Sequence, residues 1–170
     1  MNYLAIDPGA SGGMAYYHPG LEVEQAIPMP EGMTAQFDAL RHLQDRLGPF
    51  TAVIEKVGTY RKGNSGPAAA TFASHVGGLH AACYALGIAE LPNQPTPQKW
   101  MKAGGFGVSR YLPEDYKALQ GKAKDRARAA AVSRNKHDIQ EHMQRAHLHL
   151  RVTLKTADAL AILAWAEGQI

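Results

Sequence analysis

The chain has almost no cysteine: Cys83 is the single one in 170 residues. No internal disulfide can form, so the core must hold without covalent staples, which this length allows. A lone thiol in an apolar stretch reads as a small buried hydrophobe, and a reducing cytoplasm suits it. Long hydrophobic runs are also missing. Nothing approaches a membrane span, and no basic-then-apolar leader precedes the short run Tyr3–Ile6, so a soluble, non-exported chain with no membrane partner is expected. Low-complexity tracts and internal repeats are absent as well. Charged residues make up only 19% against 45% hydrophobic, which excludes disorder and points to a globular fold of one domain spanning 1–170.

Net charge is a modest +3, but it is unevenly placed. Residues 1–98 hold five basic and eight acidic side chains, whereas residues 99–136 hold ten basic and three acidic. A basic segment following an acidic one suggests a phosphate-rich partner approached by one part of the fold. A solvated helix face would give the same composition.

Hydrophobic periodicity supplies the elements. Residues 2–6, Met14–His18 and Leu21–Ile27 read as three strands of an antiparallel meander, separated by the glycine-rich turn Pro8–Gly13 and by Pro19-Gly20. Met33–Leu47 carries Phe37, Leu40, Leu43 and Leu47 at helical spacing. Phe50–Ile54 is a fourth strand, and Gly58–Gly66 a polar loop. A second helix runs from Pro67 to about Leu86, with Phe72, Val76, Leu79, Cys83 and Leu86 on one face. Its Gly77-Gly78 pair is explained by close helix packing. Ile88–Leu91 is a fifth strand. Pro95–Lys102 is a short proline-started helix, Gly104–Gly107 a flexible link, and Ala118–Met143 a helical stretch with a break near Ser133–Lys136. A final helix starts at Thr156 as N-cap and is apolar almost all round, hence buried. The pattern predicts an α/β fold: a mixed five-stranded sheet, three antiparallel strands plus two parallel, flanked by helices.

Three carboxylates sit where burial should forbid them. Asp7 ends an apolar strand, Glu55 ends another, and Asp158 opens the apolar last helix. Each has an ordinary reading: Asp7 opens a turn, Glu55 pairs with Lys56 or Arg61, and Asp158 favours a helix N-terminus. Together they read differently. Buried carboxylates that converge repel one another unless a cation relieves them. Mg²⁺ takes few carboxylates plus water and phosphate oxygens, and two such ions can assist phosphodiester hydrolysis.

The stretches carrying these residues, Leu4-Ala-Ile-Asp-Pro-Gly-Ala-Ser-Gly-Gly13, Val53-Ile-Glu-Lys-Val57 and Thr156-Ala-Asp-Ala-Leu-Ala161, resemble motifs of the RuvC-like Holliday junction resolvases. Residues 64–83 and Pro95–Lys102 are similar to the phage branch of that family. The resemblance spans nearly the whole chain and implies a ribonuclease-H-like fold, a homodimer, Mg²⁺ dependence with Mn²⁺ as substitute, and paired nicking of four-way or branched DNA in a bacterial or phage-infected cytoplasm. It places Asp7, Glu55 and Asp158 at three of four metal-site positions. The fourth, three residues before the last aspartate, is Lys155 here, where relatives often carry aspartate or histidine. An ammonium cannot ligate a metal while protonated, so Lys155 is expected either to touch the scissile phosphate or to stand in for part of one metal's charge. Arg61 and Lys62 in the loop after Glu55, and Lys102, Lys122 and Lys124 in the basic segment, are the candidate DNA contacts. Tyr60 and Arg61 could stack on or touch an opened junction. The helix Pro67–Leu86 is the expected dimer interface.

Two other readings use the same residues. A junction-binding protein with weak or absent cleavage would follow from Lys155. A nucleotide-binding protein of the actin and sugar-kinase group also joins a strand aspartate to glycines, but it needs two lobes and several hundred residues. His137, His142, His147 and His149 lack zinc spacing and read as a solvated helix face.

Overall fold

The computed structural model of the chain describes residues 2–21, 23–58 and 66–168. Five strands form one sheet: β1 (Tyr3–Asp7), β2 (Gly13–His18), β3 (Val23–Pro28), β4 (Thr51–Ile54) and β5 (Ala89–Glu90). Their order is β3-β2-β1-β4-β5. The first three pair antiparallel, and β4 and β5 add on parallel. Helices α1 (Gly32–Leu47) and α2 (Gly66–Ala85) make the crossovers between parallel strands, as parallel pairing requires. Then follow α3 (Pro97–Ala103), two short 3-10 turns (Val108–Tyr111 and Glu114–Lys117), α4 (Gly121–Ala146) and α5 (Ala157–Ala166). The expected mixed five-stranded α/β fold is what forms. No helix among the described residues is long and apolar enough to cross a membrane.

The strand alternation separates two cores. Leu4, Ile6, Met14, Tyr16 and Ile54 point to one side of the sheet, where they meet α1 and α2. Ala5, Ala15 and Val53 point to the other, where they meet α5 and part of α4. Side-chain size differs between the two. The large residues share one core with residues of α1 and α2. The small ones face Ala157, Ala159, Ala161 and Leu160 of α5, so this helix settles close to the sheet with Asp158 in its first turn. Gly13 is required for the approach: a Cβ there would run into the backbone carbonyls of Lys155 and Ile27.

Three local expectations turn out differently. Thr156 precedes α5 but its hydroxyl does not cap it; Oγ1 accepts the N–H of Thr153 instead, at 2.9 Å. Helix α4 runs unbroken through Ser133–Lys136, because the stripe Ala131, Asn135, Ile139, Met143 keeps one face buried across that stretch. The glycine link is tethered: Phe106 is buried, and Gly107 donates its N–H to Asn135 Oδ1 at 2.7 Å. Cys83 is buried as expected, and that burial pushes its thiol up to about 12.

Candidate functional site

Parallel pairing of β1 with β4 sets Ile6 beside Ile54, and the Glu55 N–H continues the ladder to the Ile6 carbonyl at 2.9 Å. Asp7 and Glu55 therefore lie next to each other at the C-terminal ends of neighbouring strands. Helix α5 packs across β1 and β2 and brings Asp158 to the same end. All three line one cavity of about 550 Å³. Its walls also include the turn Pro8–Ser11, Phe72 of α2, Trp100 of α3, and Asn135 and Lys136 of α4.

The charge balance in this cavity is lopsided. Its charged lining among the described residues is three carboxyls and one ammonium, that of Lys136. Burial pushes the Asp158 carboxyl above its ordinary value, and Lys136 pulls it partly back. Glu55 is buried and accepts a hydrogen bond from the Trp100 indole at 2.6 Å. The turn after Asp7 is anchored from α2, where Gly9 donates its N–H to His75 Nε2 at 3.2 Å. Gly9 has φ of 118°, a conformation that favours glycine. His75 is pushed down by burial, which suits a neutral ring acting as acceptor.

Hard oxygen donors in this arrangement fit a hard divalent cation. Among the described residues, however, no three histidine, cysteine or acidic side chains stand close enough together to hold one ion. An ion here would take fewer than three protein ligands and complete its shell with water or phosphate oxygens, which is the habit of Mg²⁺.

The remaining candidates separate. Lys155 is exposed and forms no part of the cavity wall; only its backbone carbonyl packs inward, against Gly13. Lys102 and Lys122 are exposed, and Lys124 lies half-buried with Nζ 5.3 Å from the centre of the Tyr116 ring. None of these three lines the cavity. Tyr60, Arg61 and Lys62 lie outside the described residues. Lys136, Trp100 and Asn135 were not singled out by sequence. The available signal was Asn135, a polar residue inside the four-residue stripe that α4 buries; it places Lys136 beside that stripe. From Lys136 and Val132 a shallow groove continues along α4 past Ser133, Ala129 and Arg128 to Asp125. The histidines are not one solvated face: His147 Nδ1 and His149 Nε2 both reach Glu24 Oε2 on β3, at 2.9 and 3.0 Å.

No protein-family model matches the sequence, and no curated protein matches it. Solved structures do. The chain is similar to RuvC of Thermus thermophilus, at 16% identity and a TM-score of 0.51, covering 99% of this chain and 97% of that one. It is also similar to T. thermophilus RuvC in complex with Holliday junction substrate, at 16% identity and a TM-score of 0.54, covering 95% and 90%. The shared fold is the ribonuclease-H-like fold of RuvC, over nearly the full length of both chains.

Proposed function

We propose that this chain is a metal-dependent endonuclease that cleaves Holliday junctions or other branched DNA as a homodimer. The observation that carries the reading is the cavity at the strand ends, where Asp7, Glu55 and Asp158 converge and Lys136 is the one cation among the described residues. The fold supports it, since a structural neighbour is RuvC bound to Holliday junction substrate.

Asp7, Glu55 and Asp158 would hold Mg²⁺ or Mn²⁺ between them, no more than two of them on any one ion. Those ions supply Lewis-acid charge and acidify water for attack on phosphorus. The protein's own contribution is placement. Strand β1 fixes Asp7, the ladder bond to Ile6 fixes Glu55, and α5 fixes Asp158 against small strand residues. Among the described residues, Lys136 is the cation available to a phosphate entering the cavity. In hydrolysis a water oxygen bonds to phosphorus, the P–O ester bond breaks, and the departing oxygen takes up a proton. The added negative charge of that transition state is what the Lys136 ammonium in the cavity wall would stabilise. Lys102, Lys122 and Lys124, which lie outside the cavity wall, would contact backbone phosphates around the cut, and Arg61 and Lys62 are further candidate DNA contacts.

Helix α2 supports the homodimer. It contains no lysine, arginine, aspartate or glutamate, yet Ala70, Ala73, Gly77, Ala81 and Tyr84 are exposed. Paired nicks need two symmetric sites, which an isologous two-fold contact provides. Phe72 and Ala68 of the same helix reach the cavity, so that contact would lie next to the site.

The test is cleavage of a synthetic four-way junction in Mg²⁺ and in Mn²⁺. Asp7→Asn and Glu55→Gln are each expected to slow cleavage at least about a thousandfold, roughly 4 kcal/mol in barrier, with junction binding retained. Undiminished cleavage by both would remove the proposed site.

A further inference from the structure

We propose that Trp100 is the positioning residue for Glu55, and that its indole N–H sets how tightly the carboxylate cluster takes a divalent cation. The inference rests on the metal-dependent reading above.

Glu55 follows the last residue of β4, at a place where the sheet loses its edge. The parallel partner β5 is two residues long and pairs only with Thr51 and Ala52, with Leu91 adding one bond to Ala52. Beyond that point the chain swings away, and the segment from Gln94 to Trp100 takes over. The Gln94 side-chain oxygen accepts the Ile54 N–H at 2.7 Å. The Pro95 carbonyl accepts the Lys56 N–H at 2.7 Å. Between them, Trp100 Nε1 donates to Glu55 Oε1 at 2.6 Å, with both residues buried. Three consecutive residues are thus held by one segment: two through the backbone and the middle one through its carboxylate.

An indole N–H donates and cannot accept, so the bond favours one orientation of the carboxylate. At this length it has the character of a charge-assisted bond. The donor itself is rigidly mounted. Thr96 caps α3, accepting the Lys99 N–H on its hydroxyl, and the Trp100 N–H bonds back to the Thr96 carbonyl at 3.3 Å. Helix α3 also packs on α5, with Lys99 Nζ 4.8 Å over the Trp165 ring. The short helix that orients Glu55 therefore leans on the helix that carries Asp158. Groups that orient metal-binding carboxylates through hydrogen bonds govern affinity by about ten- to a hundredfold.

A tryptophan that merely filled the core would be replaced adequately by phenylalanine, so the experiment separates the ring from its N–H. Binding of Mn²⁺ to the full chain without DNA is measured by electron paramagnetic resonance for wild type and Trp100→Phe, alongside thermal melts. The expected result is a folded W100F that binds Mn²⁺ at least about tenfold more weakly. In parallel, ¹⁵N spectra of the metal-free protein follow the two indole N–H signals. Glu55→Gln should move the Trp100 signal and speed its hydrogen exchange, leaving that of Trp165 in place. This second arm decides the matter even if W100F does not fold. Wild-type Mn²⁺ affinity in folded W100F, or a Trp100 signal indifferent to E55Q, overturns the role of Trp100 alone. A wild-type protein that takes up no Mn²⁺ overturns the metal-dependent reading and this role with it.

Discussion

Helices α2 and α4 are the two longest in the molecule, at 20 and 26 residues, and both leave most of their outer surface in solvent. Each buries a short list of residues: Leu79, Ala82 and Cys83 in the first, Ala131, Asn135, Ile139 and Met143 in the second. Their outer faces are opposites. Helix α2 carries no formal charge apart from what its histidines take up, and its exposed side chains are small except Tyr84. Helix α4 carries Lys122, Lys124, Arg126, Arg128, Arg134, Lys136 and Arg145 against Asp125, Asp138 and Glu141. An exposed helix free of charge loses little on dehydration, so a flat protein surface can cover it. A basic helix loses its hydration only to a partner with fixed negative charge, which phosphates provide. Both helices reach the same cavity, α2 through Ala68 and Phe72 and α4 through Asn135 and Lys136. On the proposed reading, the contrast would put a second copy of the chain on one side of the site and nucleic acid on the other.

The strongest way to break this contrast is to put charge on α2. Ala81 is exposed in the single chain, and arginine is nearly as good a helix former as alanine, so Ala81→Arg should leave the fold intact. If a second copy covers the face, each protomer then buries an unpaired cation, a penalty of about 3–5 kcal/mol. Sedimentation equilibrium is expected to show the dimer dissociation constant rising at least about a hundredfold. A wild-type chain that is monomeric at micromolar concentration, or an A81R dimer of undiminished affinity, would remove α2 as an interface.

On the α4 side the contrast sharpens at two lysines. Lys136 lines the cavity and Lys155 does not, although Lys155 is only three residues from Asp158 in sequence. Lys136→Ala is expected to slow single-turnover junction cleavage at least tenfold, about 1.4 kcal/mol in barrier. Lys155→Ala should change the rate by less than about threefold, less than roughly 0.7 kcal/mol. The reverse order would move the functional cation off α4 and onto the approach to α5.

Much of this arrangement could be read before any coordinates. The unbroken apolar runs Leu4-Ala5-Ile6 and Ala52-Val53-Ile54 announce buried strands. A carboxylate at the end of each then stands out, as does Asp158 at the head of an all-apolar helix. What stayed hidden depends on contacts between distant segments. Trp100 and Glu55 are 45 residues apart, and Asn135 and Gly107 are 28 apart; no local period encodes either bond. The stretch Ser133–Lys136 reads as a helix break because serine and asparagine are weak helix formers. Tertiary burial of Asn135 overrides that preference. Lys155 was singled out because it stands at the position where the resemblance puts a fourth metal-site residue, three residues before Asp158. The chain there turns its backbone toward the sheet, with the Lys155 carbonyl packed against Gly13, and its side chain is exposed.

The smallest expected effect concerns Asp158 and stability against pH. Burial raises the carboxyl above its ordinary value in the folded chain, and the Lys136 ammonium offsets only part of the rise. A raised carboxyl destabilises the fold at neutral pH. Below the unfolded value both states hold the proton and the group contributes no difference. As pH climbs from there to the folded value, the unfolded chain releases its proton while the folded chain keeps it, so stability falls across that window. Above the folded value the loss is complete and constant. Asp158→Asn removes the charge while keeping the shape, so in metal-free buffer at pH 7 it should melt a few degrees higher than wild type. Each ~1 kcal/mol corresponds to roughly 2–4 °C for a chain of this size. The gap should close as pH falls toward the ordinary aspartate range. It should also narrow at pH 7 when Mg²⁺ is added, because a cation bound at the cluster stabilises the charged form in the wild type and has one fewer carboxylate to hold it in the variant. A metal-free variant that melts below wild type at pH 7 would mean that the Asp158 charge is already fully compensated by Lys136. The cavity would then have no electrostatic need for a metal at α5, and α4 alone would balance that carboxylate.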